Sequence, residues 1–519
     1  MLSRALTLAR RAALPGLIAL LTSALALGPR ASQAQLISIK TLPIAEGDQF
    51  VFFPSANQGM AGPSLALADS LLDPFLNPAK GARMHAPHFF GAPTFYSVSR
   101  NAGGGQTLPL GGIVTNGTTF GGLALVVQGI DPSQRQGQVF GPGVFVDDGS
   151  SVQQLPPPDQ SSAKENDYVF GILGKRFAES GISVGGSVLW SKLRRMDGVD
   201  LLYANSQSIR QYGGAFDARL GFLKEWSGNR SLEAVFVHNR VGMTHDVTFV
   251  DRFWDPNVRR VASVARLEHN LDRTRTWGMQ VAYQRPLRDS AWRIGGVLTS
   301  NLLSHPKLPD YQIQEVQSIP WDPGHSAAYN LGIGVGQRRG GTTFGLDAIY
   351  EPILTHTWGE AEGPIETTRG ITIPAGAKTI ENHFRFSNAI LRTGIGQDIK
   401  LEGIAAPMQI QLGIALHAIH YWFDQFDHVQ AASRSQEERW LEWTRTWGMN
   451  FRFDRVELRY AGRSTSGTGR PGIARASNRV GVNTPDALSS SFVPAPNGPL
   501  TLTDVRVTTH QISVSLPIR

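Results

Sequence analysis

Ile380-Glu381-Asn382-His383-Phe384-Arg385-Phe386-Ser387-Asn388-Ala389-Ile390-Leu391 opens the stretch, residues 379–422, on which the reading of this chain turns. Ile380, Phe384, Phe386 and Ile390 fall on even positions; Glu381, His383, Arg385 and Ser387 fall on odd ones. After a break at 397–406, Met408, Ile410, Leu412, Ile414, Leu416 and Trp422 share one parity, and Gln409, Gln411, His417 and Tyr421 the other. Side chains alternate faces along a strand, so a period of two means one oily and one wet face. Each arm is longer than the usual strand of about 5–6 residues. Each also exceeds the roughly 9–11 residues that cross a bilayer as a tilted strand. The pattern predicts a hairpin of an outer-membrane β-barrel, its apolar even face turned to lipid. An amphipathic hairpin of a soluble sandwich or β-helix shows the same pattern, so the rest of the chain has to separate the two.

The chain begins with Arg4, Arg10 and Arg11, an apolar run over 12–28, and then Ser32-Gln33-Ala34. This is the layout of a cleaved secretory signal peptide, residues 1–34. Removing it takes away four arginines and lowers the formal charge from +7 to +3 (7 − 4), so nothing in the charge calls for a nucleic-acid partner. No later stretch holds roughly 18 consecutive apolar residues, which leaves a closed barrel as the way to satisfy backbone groups in lipid. The chain has no cysteine, which excludes disulfides, thiolate catalysis and Cys-ligated metals.

From residue 87 onward, alternating runs follow one another: 87–99, 107–115, 118–130, 166–176, 182–194, 211–224, 230–243, 274–286, 291–303, 326–338, 342–355, 380–396, 407–422, 438–453, 456–464 and 503–518. Their connections alternate in length. Short links lie at 116–117, 177–181, 225–229, 287–290, 339–341, 397–406 and 454–455. Long ones lie at 131–165, 195–210, 244–273, 304–325, 356–379, 423–437 and 465–502, with 101–106 the weak member of the long set. Tight periplasmic turns and longer external loops give that rhythm, and a soluble sandwich has no reason to keep it. Asn116-Gly117, Gly228-Asn229 and Gly340-Gly341 carry the turn chemistry of tight hairpins. The last strand alternates Ile512, Val514, Leu516 and Ile518 with polar residues and ends at Arg519, without the terminal aromatic that many bacterial barrels offer their assembly machinery.

Candidate chemistry is sparse. Asp217, Arg219, Glu381, His383, Arg385, His417, Glu442, Glu457 and Arg459 fall on the parity read as inward, and His420 on the other. The charged residues could form a ladder that tunes which solutes pass, or ion pairs that stiffen the wall. The pair His383 and His417 could hold a metal or a substrate carboxylate; more plainly, they line a polar lumen, and no metal site is assigned. Gly332, Gly334 and Gly336 lie within a strand with no helix after them, so they mark a bend or the approach of another segment rather than a phosphate loop. No catalytic constellation, Walker loop or His-Glu-x-x-His site appears, so neither an enzyme nor a cofactor is expected.

Ahead of the strands, residues 59–80 read Gly-rich, then Ala66-Leu67-Ala68-Asp69, a short helix after Pro63 broken at Pro74 and Pro78, and Asn77-Pro78-Ala79. With Gly59 and Gly62, this segment resembles the N-terminal plug of the outer-membrane long-chain fatty-acid and hydrocarbon transporter family. Sixteen strands exceed the fourteen usual there. The expected fold is therefore an all-β, antiparallel transmembrane β-barrel of about 14–16 strands with a short N-terminal plug. Residues 1–34 would be the signal peptide, 35–86 the leader and plug, and 87–519 the barrel. The resemblance implies a hatch in which Gly59, Gly62, Asp69, Pro74, Asn77 and Pro78 shape or gate the plug. It also implies passive diffusion of small hydrophobic or amphipathic molecules. The alternative is a structural or interaction barrel that anchors a surface or secretion complex. The expected location is the outer membrane of a Gram-negative-type bacterium; the expected partners are its lipids, the barrel-assembly machinery and a small-molecule solute.

Overall fold

The computed structural model describes Ala45 and residues 50–84, 86–99, 104–131, 164–195, 208–255, 260–287, 291–304, 318–319, 324–361, 363–399, 407–453, 455–471 and 502–517. The expected signal peptide lies outside them, as do most of the links at 131–165, 195–210, 304–325 and 465–502.

In chain order the strands are β1 (His88–Gly91), β2 (Thr94–Val98), β3 (Gly104–Thr115), β4 (Thr119–Asp131), β5 (Lys164–Phe177), β6 (Ile182–Leu193) and β7 (Ser208–Trp226). Next come β8 (Arg230–Asp255), β9 (Arg260–Pro286), β10 (Trp292–Ser304), β11 (Ser318–Ile319), β12 (Gly324–Arg339) and β13 (Thr342–Glu360). The rest are β14 (Ile365–Glu366), β15 (Thr372–Ile373), β16 (Lys378–Ile399), β17 (Met408–Asp427), β18 (Ala432–Arg452), β19 (Glu457–Pro471) and β20 (Leu502–Pro517). β1 and β2 are two halves of one wall strand, since both pair with β3 and with β20. β14 and β15 form a separate two-stranded sheet, and β11 is a two-residue strand that pairs in parallel with the extension of β9, Ser318 with His269 and Ile319 with Asn270, without being a strand of the antiparallel ring. Among the described residues the wall thus has sixteen antiparallel strands, and the pairings of β20 with β19 and with β1 close the ring. Closure removes both sheet edges, the condition for a sheet to stand in lipid.

Three expected links are shorter than the sequence pattern implies. β8 and β9 run on to Asp255 and Arg260, across most of 244–273. β17 and β18 likewise consume most of 423–437, and β13 and β16 shorten 356–379 from both ends. Beyond the lipid both faces of a strand are wet, so apolar alternation stops while the backbone ladder continues. The short turns follow their sequence chemistry: Gly228 and Asn229 have φ of 77° and 56°, a pair of positive values that suits a tight hairpin between twisted strands.

The exterior is oily. Leu123, Leu173 and Ile333 point outward and are exposed by 70%, 67% and 71%, which only a lipid surround makes favourable. Together with the closed ring, this belt places the protein in an outer membrane. In the hairpin of β16 and β17 the two arms do not share one outward parity. Phe384 pairs with Phe423, so even positions of β16 share a face with odd positions of β17. The even face of β17 looks out to lipid, with Leu412 exposed by 52%, but the even face of β16 looks into the lumen. Ile380, Phe384 and Phe386 are therefore interior, and Glu381, His383 and Arg385 are exterior.

Residues 50–84 lie against the inner faces of the wall strands. The helix expected after Pro63 is not formed. The one α-helical turn, α1, is Asp73–Leu76, with Pro74 at its first turn. A missing N–H costs nothing there, so Pro74 starts a helix where the sequence pattern placed a break. A 3-10 turn, Pro78–Arg83, follows, and the Asn77 side chain accepts from Ala79 N at 3.1 Å to cap it.

Candidate functional site

The inner face of the barrel and the segment it surrounds form the candidate site. The segment bonds to the wall in nearly every direction. Gln511 on β20 donates to Phe52 O, and Gln411 on β17 donates to Ala56 O. Thr446 on β18 donates to Gly59 O at 2.9 Å. Asp347 on β13 accepts from Ser64 N at 2.7 Å and Leu65 N at 3.2 Å. Arg219 on β7 donates to Leu76 O at 3.0 Å and Ala45 O at 3.3 Å, with its guanidinium 4.6 Å over the Phe50 ring. Gln411, Asp347 and Arg219 all lie toward strand ends that lead into short turns, so the segment occupies the short-turn end of the lumen.

Close approach is possible because small residues face it. A methyl group built on Gly334 would lie 2.6 Å from Leu65 Cβ, and one on Gly336 2.7 Å from Leu67 Cδ2. The Gly-x-Gly run on β12 thus marks the approach of the internal segment. On the opposite side the filling is aromatic. Phe53 stacks on Phe75 at 3.7 Å, and both meet Phe170 and Phe90 of the wall. Phe50, Phe53, Phe75 and Phe170 are all buried within one apolar cluster with Phe120 and Ile172.

Charge supplies the third kind of contact. Lys80 Nζ lies 3.2 Å from Asp73 and 2.9 Å from Glu233 of β8. Arg83 lies 2.9 Å from Glu225 of β7 and 3.8 Å from Glu233. Burial pushes the Asp73 carboxyl above its ordinary value, against the pull of Lys80. Burial alone would lower the Lys80 value; Asp73 and Glu233 outweigh it and hold the ammonium above 10.5. Asp69 organises the segment itself, accepting from Ala56 N, Leu71 N and Leu72 N. None of Asp73, Lys80, Arg83, Glu233 and Asp347 is singled out by strand alternation, which reports faces and not partners.

The structure divides the residues that sequence parity assigned to the lumen. Asp217 and Arg219 are interior, buried and 2.9 Å apart. His417 and Glu442 face each other across β17 and β18, with His417 Nδ1 3.6 Å from Glu442 Oε2. Glu457 and Arg459 are also interior and ion-paired, and Arg459 donates to Ser515 Oγ. Glu381, His383 and Arg385 are on the outer surface, where Arg385 packs 4.8 Å over the Trp422 ring. The proposed His383–His417 pair therefore does not exist, because the two rings lie on opposite faces of the wall. Of the segment residues, Gly59 backs onto Gly448, Gly62 has φ of 70°, and Pro78 packs against Gly185 and Gly221.

Toward the long-loop end the lumen wall changes character. Leu303, Ala328, Ile353, Phe384, Phe386, Ile419 and Phe423 form a buried apolar cluster across β10, β12, β13, β16 and β17. Phe384 and Phe423 lie 4.6 Å apart. At the opposite mouth, a cavity of about 670 Å³ beside the segment is lined by Arg83, Arg176, Arg230, Arg293 and Arg338, with Glu225 the one acid among the lining residues.

No protein-family model matches the chain, and no curated protein does. Solved structures similar to it include a Pseudomonas aeruginosa FadL homologue, 12% identical over 90% of this chain and 99% of that one, with a TM-score of 0.42. Another is the Pseudomonas putida toluene transporter TodX, 10% identical over 89% and 97%, with a TM-score of 0.37. A bacterial polysaccharide outer membrane secretin is 5% identical over 84% and 99%, with a TM-score of 0.37.

Proposed function

We propose that this protein is an outer-membrane channel for small hydrophobic or amphipathic molecules, with residues 50–84 as its plug. The observation that carries the reading is the inward apolar cluster around Phe384 and Phe423. A water-filled channel lines its lumen with polar groups. Oily side chains turned inward, away from lipid that would accept them equally well, favour a solute that is itself apolar. Such a solute would enter from the outside at this apolar end, and passage would require the plug to shift at the short-turn end. The arginine-lined cavity beyond would favour an anionic head group on release. Movement is by diffusion, with no cofactor and no energy source.

In the plug, Gly59, Gly62, Asp69, Pro74, Asn77 and Pro78 keep the chain irregular and close to the wall, while Arg219, paired with Asp217, tethers it. The dense bonding of the plug also fits a sealed scaffold barrel that anchors other proteins. Uptake of a fluorescent fatty acid and of a small aromatic hydrocarbon into liposomes carrying the purified protein separates the two. Flux that rises when residues 59–80 are deleted supports the channel; no flux with or without them supports the scaffold.

A further inference from the structure

We propose that the outer surface of the barrel, at its long-loop margin, carries a transition-metal site built from His356, Glu381 and His383. Strand register assembles it. His325 on β12 pairs with His356 on β13, and His356 pairs with His383 on β16. These residues make one row on the outer face. Leu354, two residues before His356 on the same face, is 50% exposed and belongs to the lipid belt. The row therefore lies beside the belt on the side of the external loops, where ions of the medium reach it.

Three donors are gathered in one place. One donor atom each of His356, Glu381 and His383 lies within 4.8 Å of the others. The His356 and His383 rings stack at 4.2 Å and 9°. Metal–donor bonds of about 2.0–2.2 Å set neighbouring donors roughly 3–4 Å apart, and a ring nitrogen binds in the plane of its ring, so the two imidazoles must turn out of their stack to share an ion. Glu381 stands between two imidazoles, with His356 Nε2 3.8 Å from one carboxylate oxygen and His428 Nε2 3.6 Å from the other. Both Nε2 atoms are buried and have no hydrogen-bond partner among the described residues. A buried ring nitrogen left in that state is costly, and an ion held by His356, Glu381 and His383 would satisfy the His356 nitrogen.

A cation already sits there. The Lys378 ammonium contacts Glu381 and lies 4.9 Å over the Trp358 ring. It marks where positive charge is favoured, and an ion entering the site would displace it. Imidazoles with one carboxylate suit Zn²⁺, Ni²⁺ or Cu²⁺, and do not suit Ca²⁺ or Mg²⁺, which require shells of oxygen. The plainer account is an aromatic interface belt in which His356 only stacks on His383 and Trp358.

Titration of the full chain in detergent, purified without a histidine tag, separates these accounts. Co²⁺ is added as a visible-absorption probe and displaced with Zn²⁺. A single saturable site is expected. Its affinity should fall in H356A and in H383A by more than the ~10–100-fold that loss of a supporting partner costs, and should rise in K378M. H417A, which alters an imidazole on the inner face, should bind like the parent, and heat-modifiable gel mobility shows that each variant keeps its barrel. A parent chain without a Co²⁺ band, or equal binding by the parent, H356A and H383A, overturns the proposal.

Discussion

The two ends of the lumen are built in opposite ways. At the short-turn end, a segment from outside the wall fills the space with stacked phenylalanines, buried ion pairs and backbone contacts against glycine. At the long-loop end the wall strands themselves supply the apolar surface, around Phe384, Phe386 and Phe423. The first arrangement is held by directional contacts that fail when one partner is lost. The second is non-directional and tolerates an exchange of one oily group, or one oily guest, for another. On the proposed reading, the segment closes the inner end and the apolar outer end admits a hydrophobic solute.

The sharpest way to break this contrast is at Lys80. Replacing it with Met leaves Asp73 buried without its ion-pair partner and Glu233 with Arg83 alone at 3.8 Å, which costs about 3–5 kcal/mol when one partner of a buried pair is removed. The K80M segment should be cleaved by an added protease much sooner than the parent, with the barrel itself intact. Unchanged cleavage would mean that the ion pairs do not hold the segment. F423A should cost about 3–5 kcal/mol of packing at the other end. It should reduce uptake of hydrophobic solutes while leaving segment cleavage unaltered, so the two variants separate the two ends.

Smaller effects sharpen the same comparison. Gly334→Val puts side-chain atoms where Leu65 lies, an overpacking worth roughly 1–3 kcal/mol, and should raise segment cleavage to a lesser degree than K80M. The smallest effect is that of pH. Because Lys80 in the folded protein titrates above its unfolded value of 10.5, the docking it contributes is complete below pH 10.5 and is lost as pH rises through the folded value. Segment cleavage by an alkali-tolerant protease should therefore climb only above that point, and the climb should be absent in K80M.

Much of this architecture can be read in the sequence. The alternation of short and long links gives sixteen wall strands, and the positive-φ turn at Gly228-Asn229 lies where its chemistry puts it. Parity alone fails where both faces of a strand are apolar or polar for separate reasons. Phe384 and Phe386 look lipid-facing because the usual barrel has a wet lumen; here the register with Phe423 turns them inward. Glu381 and His383 look interior because charge avoids lipid, yet they stand above the lipid belt, where water reaches the outer surface. The tethering residues of the wall were less legible still. Asp347 and Glu233 become partners of Ser64 and Lys80 only when the ring closes around the segment.

One measurement bears most directly on the channel reading. The chain has no cysteine, so a disulfide engineered across the Ser64–Asp347 contact, as S64C/D347C, can lock the segment to the wall and be released with a reductant. Uptake of a hydrophobic solute into liposomes should be blocked in the oxidised protein and restored on reduction. Equal uptake in both states would contradict a moving plug.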